Sequence, residues 1–150
     1  MSLATQIETD LKTAMKARDA ETTATLRLVL AAMKNLRAEA GHGAELSDEE
    51  MIELLGREAK RRAEAAEAYE EAGREDLASK ERRELEVLRA YLPTQLDADE
   101  LGAIVDEVIA ETGAVGPGDI GKVMGALMPR VKGKADGKAV NALVRERLGG

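Results

Sequence analysis

The residues best suited to chemistry lie together near the C-terminal end. Residues 121–137 read GKVMGALMPRVKGKADG. Gly121 and Gly125 are four apart, the spacing of one helix face, so on a helix they leave a bare strip that a backbone or a phosphate can approach closely. Lys122, Arg130, Lys132 and Lys134, with Lys138 just beyond, place positive charge along the same stretch. Gly133 and Gly137 give the following turn a permissive backbone. Asp136 is placed to order that turn and to cap the helix after it. Helix starts near Pro117 and Gly137 add free N–H groups and favourable dipoles. Such a combination suits contact with a phosphate backbone. The plainer alternative is that the glycines let neighbouring helices pack closely and the lysines form a solvated rim that complements helix C-termini.

Other reactive groups are sparse. There is no cysteine, which removes thiolate nucleophiles, disulfides and thiolate metal ligands. The serines are Ser2, Ser47 and Ser79, and Ser47 reads as a helix cap. No GxxxxGK(S/T) phosphate loop is present. The lone histidine, His42, lies between two glycines in an expected surface loop and reads as solvated rather than as a catalytic or metal-binding group. Carboxylates are abundant on solvated helix faces, and no pair stands out for acid–base work. No catalytic residue, metal site or cofactor motif is therefore assigned. A second basic cluster, Arg57, Lys60, Arg61 and Arg62, has glutamates close by and reads as a solvated face.

These residues sit in a chain of 150 residues that is 44% apolar and 34% charged. That composition is globular, not disordered. The apolar residues are chiefly Leu, Ala, Val and Met. Trp and Phe are absent, and the rings are Tyr69 and Tyr91. A core of this kind points to helix packing. The longest apolar run, Leu28–Met33, is too short to span a membrane, and the N-terminus is no secretory signal. A cytoplasmic protein without membrane association is the natural reading. The net charge of −7 argues against bulk affinity for nucleic acid, but the charge is unevenly spread. Residues 97–111 hold six acids and no base, whereas residues 121–150 hold seven bases and two acids.

Apolar spacing predicts seven helices and no strand. The first covers residues 3–17, with Leu3, Ile7, Leu11, Ala14 and Met15 inward. Asp19 caps a second, which runs to about Glu39. Ser47 and Glu50 form a capping box for a third over 48–72, with Ile52, Leu55, Ala59, Ala66 and Tyr69 inward. On its wet side, Glu53 pairs with Arg57 and Glu58 with Arg62. A fourth spans 74–91 and packs antiparallel on the third. Pro93 ends it, and Leu92–Leu96 is the candidate hinge, with Tyr91 pinning the junction. Asp97 and Glu100 form a second capping box for a fifth helix to Glu111. The sixth covers 117–128, where Pro129 kinks or ends it. The seventh covers 137–148. The fold class is all-α, with an N-terminal antiparallel bundle over 1–92 and a small three-helix domain over 93–150.

Four segments in this order resemble the GatB/YqeY family: DLKTAMKARD, the region from AGREDLASKERREL to AYLPTQL, IGKVMGALMP, and GKADGKAVN. The resemblance covers nearly the whole chain. It implies a free-standing relative of the tail domain of the B subunit of tRNA-dependent amidotransferases, where the tail helps to hold tRNA and the chemistry lies in other domains. The family description, carbon–nitrogen ligase with glutamine as amido-N-donor, belongs to the catalytic domains. Three functions follow as expectations. The first is a non-catalytic accessory module that binds the backbone of tRNA. The second is a helical module docking on an amidotransferase, an aminoacyl-tRNA synthetase or a second copy of itself through the Ala-rich third helix and the acidic fifth. The third is an amide-transfer enzyme component, which glutamine-dependent ammonia release by the purified chain would reveal.

Overall fold

A computed structural model describes residues 1–39, 41 and 45–149. Among them are seven α-helices and no strand. None of these helices is long and apolar enough to cross a membrane. The chain divides into two compact units, Met1–Leu92 and Pro93–Gly150.

The first unit contains α1 (Leu3–Lys16), α2 (Ala20–Glu39), α3 (Asp48–Glu71) and α4 (Glu75–Arg89). Each of the first three starts has a side-chain cap, expected from sequence at Asp19 and Ser47 and added by the structure at Ser2. Ser2 Oγ accepts from the amide of Thr5, Asp19 from that of Thr22 and Ser47 Oγ from that of Glu50, each at 3.1 Å. The Thr22 hydroxyl and amide hold Asp19 below the usual carboxylate range. Asp48 also accepts from the amide of Leu3 at 2.8 Å, tying the start of α3 to that of α1. Gly73, at φ 74°, supplies the left-handed residue that ends α3 and turns the chain into α4. The core is built from Ile7, Leu26, Val29, Met33, Met51, Leu55 and Leu88, all essentially inaccessible. Each large side chain of this kind contributes ~1.5–3 kcal/mol of transfer free energy.

Several expectations for this unit are corrected. Met15 is 48% exposed, because Ala4, Ile7, Leu11 and Ala14 already complete the buried stripe of α1. On α3 the buried stripe is Met51, Leu54, Leu55, Ala59, Arg62 and Ala66, while Ile52 and Tyr69 are only half-buried. Arg62 is the larger correction. It is not on the wet side but 7% exposed. Its Nη1 donates to Glu58 Oε2 at 2.8 Å, and its Nε lies 3.3 Å from Glu84 Oε2 on α4. A buried guanidinium demands such counter-charge, so the polar link joins α3 to α4. Its neighbour Arg57 is exposed and forms no ion pair with a described residue, so the expected pair with Glu53 is absent. Tyr91 donates its hydroxyl to Asp10 Oδ2 at 2.6 Å, fastening the end of the fourth helical segment to α1. Burial, then the Asp10 bond and its charge, pushes the phenol well above its ordinary range.

The second unit contains α5 (Ala98–Thr112), a 3-10 turn (Pro117–Asp119), α6 (Ile120–Val131) and α7 (Gly137–Arg147). Asp97 accepts from the amide of Glu100 at 2.8 Å, and that bond holds its carboxyl below the usual range. Val105, Val108, Val123, Leu127, Val131, Val140 and Val144 form the core. Pro129 does not end α6. The helix runs through it to Val131, because in the last turn a missing N–H removes a single ladder bond and the amide of Lys132 still reaches the carbonyl of Met128 at 2.9 Å. The expected hinge also narrows. The amide of Leu96 donates to the carbonyl of Lys134 at 2.9 Å, and Leu96 packs against this second core.

Candidate nucleic-acid interface

The glycine strip lies open. Gly121 and Gly125 are exposed on α6, and a Cβ built on either meets nothing within 4 Å. Close packing by α5 or α7 therefore does not explain them. Gly137, at the start of α7, is exposed too, and a Cβ there would only touch Met128 Cε at 3.9 Å. Gly133 is different. Its φ of 77° lies in the left-handed region, so the turn between α6 and α7 requires it.

That turn is held from the start of the unit. Gln95 Nε2 donates to the carbonyl of Gly133 at 2.7 Å and to that of Pro93 at 2.8 Å. With the Leu96–Lys134 bond, this fixes the backbone that carries Lys134. Asp136 caps α7 by accepting from the amide of Lys138 at 3.4 Å.

The cations divide into two groups. Arg130 reaches across to α5, with Nη2 at 3.0 Å from Glu107 Oε2 and Nη1 at 3.7 Å from Glu111 Oε2. Arg147 pairs with Asp106 at 2.9 Å. A Cβ on buried Gly102 would lie 3.1 Å from the Arg147 guanidinium, so the glycine makes room for that arm. Arg145 is exposed and donates to the neutral Asn141 side chain at 2.7 Å, so it keeps its charge. Lys122, Lys134 and Lys138 are exposed, and no described residue pairs with their side chains. Lys132 is exposed and already has a partner. Lys122 stands in the first turn of α6, and Lys134 and Lys138 lie beyond its far end. The run from 122 to 132 is about 15 Å at 1.5 Å per residue.

Of the expected cationic residues, then, Arg130 is already neutralised by α5, whereas the three lysines and the bare strip face solvent. The residues that brace the lysine turn or engage the arginines, Gln95 for the turn, Glu107 and Glu111 for Arg130, and Gly102 and Asp106 for Arg147, carry no motif. The acidic run was visible in sequence, but its partners lie in other helices. His42 lies outside the described residues.

The family profile described as "Yqey-like protein" matches residues 4–148. A relative from Pyrenophora tritici-repentis, "Altered inheritance of mitochondria protein 41, mitochondrial", is 30% identical over 96% of this chain and 80% of its own length. A glutamyl-tRNA(Gln) amidotransferase subunit from Thermococcus gammatolerans is 35% identical over 56% of this chain, and its counterpart from Thermococcus sibiricus is 38% identical over the same share. The match spans only 14% of each of these two proteins, so it relates the chain to one region of a much longer polypeptide. The chain belongs to the YqeY-like family.

Proposed function

We propose that this member of the YqeY-like family is a non-catalytic accessory module that holds structured RNA, specifically tRNA, by its phosphate backbone through the second unit. The single observation that carries this reading is the open Gly121–Gly125 strip, with Lys122 on the same helix, Lys134 on a braced turn beyond it and Lys138 in the first turn of α7. Structured RNA is recognised mainly by shape, 2′-OH and phosphate. Bare backbone and mobile ammonium groups suit such contact, and helix N-termini add donors. Both tyrosines lie in the first unit, so the second offers no aromatic platform for stacking single-stranded bases. The similarity to one region of the two glutamyl-tRNA(Gln) amidotransferase chains supports tRNA as the RNA. In this reading glutamine-dependent amide transfer stays with other chains, and the module works in the cytoplasm.

The test is tRNA binding across a salt series, beside a variant with Lys122, Lys134 and Lys138 changed to alanine. The parent should bind more weakly as salt rises. The variant's log–log slope should be shallower by about two to three, since each of the three lost phosphate contacts contributes about 0.7–0.9. Absence of binding at low salt, or a slope unchanged in the variant, rejects the reading.

A further inference from the structure

The first unit contains a groove of about 900 Å³ between α2 and α3, closed at one side by α4. Its two long walls differ in chemistry. Leu28, Ala31, Ala32 and Leu36 line the α2 wall. Leu28 is 52% exposed, an unusual state for a large apolar side chain in this unit. The α3 wall carries Arg57, Arg61 and Arg62 against the single acid Glu58. Arg57 is unpaired among the described residues, and Arg61 is largely exposed with a contact of 3.5 Å to Glu58. Arg62 lies beneath them, nine-tenths buried, with an Nε that makes no hydrogen bond. At the α4 edge Lys80 is offset by Glu81, and Glu84 together with Glu58 neutralises Arg62, so the positive charge the α3 wall offers a partner is that of the exposed Arg57 and Arg61. Glu39 stands at the far end of the α2 wall.

Each wall presents residues at helical spacing over twelve positions, Leu28 to Glu39 and Leu54 to Ala65, about 16 Å or three turns. One apolar wall facing one basic wall complements a helix with an apolar face and an acidic flank. This stripe is distinct from the alanines expected to dock a partner. Ala59 and Ala66 are buried within the bundle.

We propose that the α2–α3 groove is a docking site for an acidic amphipathic helix of a protein partner, about three turns long. Its apolar residues lie on Leu28, Ala32 and Leu36, and its carboxylates meet Arg57 and Arg61. This surface is independent of the RNA-facing lysines.

The test uses the full chain and a defined probe, a labelled, end-capped peptide with the sequence of Ala98–Thr112, which is acidic, amphipathic and free of bases. Anisotropy measures affinity, and amide shifts locate the site. Saturable binding that shifts Leu28, Ala32, Arg57 and Arg61, and weakens by about tenfold or more in R57E/R61E, is expected. Both substitutions are on exposed positions, and circular dichroism verifies that the variant is folded. No saturable binding, or shifts confined to another face, overturns the proposal. Self-association abolished by Leu28→Glu would assign the groove to a second copy, and tRNA-induced shifts at these residues would assign it to RNA. Either result overturns it too.

Discussion

Arg130 Nη2 stands 3.0 Å from Glu107 Oε2, and the same guanidinium extends its other arm toward Glu111. A cation that the sequence places among RNA-facing residues is thereby engaged by α5. Phosphate must displace these carboxylates to reach it, and they repel any phosphate nearby. Glu107→Gln with Glu111→Gln should tighten tRNA binding about three- to tenfold and steepen its salt dependence. Stability should change by less than ~1 kcal/mol, because the pairs are exposed. Titrations of parent and variant in parallel check both.

Gly121 and Gly125 separate stability from function. Neither has a positive φ or a neighbour that a methyl group would strike. Gly125→Ala should stabilise the protein by ~0.5–1 kcal/mol through helix propensity, and Gly121→Ala by less, because it lies in the first turn. Both should weaken tRNA binding if phosphate approaches the bare strip. Urea unfolding and tRNA titration of the same variants decide this.

Arg62 makes the first unit sensitive to truncation. Arg62→Ala leaves Glu58 and Glu84 without their shared cation and should destabilise by ~3–5 kcal/mol. Arg62→Met with Glu58→Leu and Glu84→Leu removes all three charges and should restore most of that loss. Chemical denaturation of the two variants gives the comparison.

Tyr91 predicts an alkaline weakness. Its phenol is raised in the fold, so its contribution is complete below the ordinary tyrosine value near ~10 and is lost as pH rises through the higher folded value. Tyr91→Phe should cost ~1.5–3 kcal/mol at neutral pH, as expected for a hydrogen bond to a charged acceptor. It should also flatten the fall in stability above ~pH 10. Unfolding at neutral and alkaline pH measures both effects.

Asp97 gives the opposite sign. Its carboxyl is held low by the amide of Glu100, so the cap is intact above the ordinary aspartate value and is lost as pH falls through the lower folded value. Acid titration followed by amide exchange in the first turn of α5 should show that end fraying before the helix centre, and Asp97→Ala should fray it at neutral pH as well.

The helices were legible because their signals are local. Ser47, Asp97 and Asp136 cap where the sequence puts caps, and Leu, Val and Ala repeat at helical spacing. Arg62 was not legible. An arginine four residues after a glutamate looks like a wet surface pair, and only the approach of Glu84 from α4 makes burial tolerable. Arg130 misled for the same reason, since its partners lie 19 and 23 positions earlier in the chain. Met15 sat beside a stripe already complete, and Pro129 was tolerated because it fell in a final turn. Gln95 carried no pattern at all. Its importance comes from one carbonyl that the fold brings within reach.

That glutamine determines where the chain can be cut. A fragment beginning at Asp97 would retain every helix of the second unit, yet lose both Gln95 and Leu96. The Gly133 and Lys134 carbonyls would lose their brace from the amino-terminal side. Such a fragment can show native helicity while its lysine turn exchanges amides freely. Secondary structure alone is therefore no measure of whether an excised second unit is intact, and excision is better placed before Pro93.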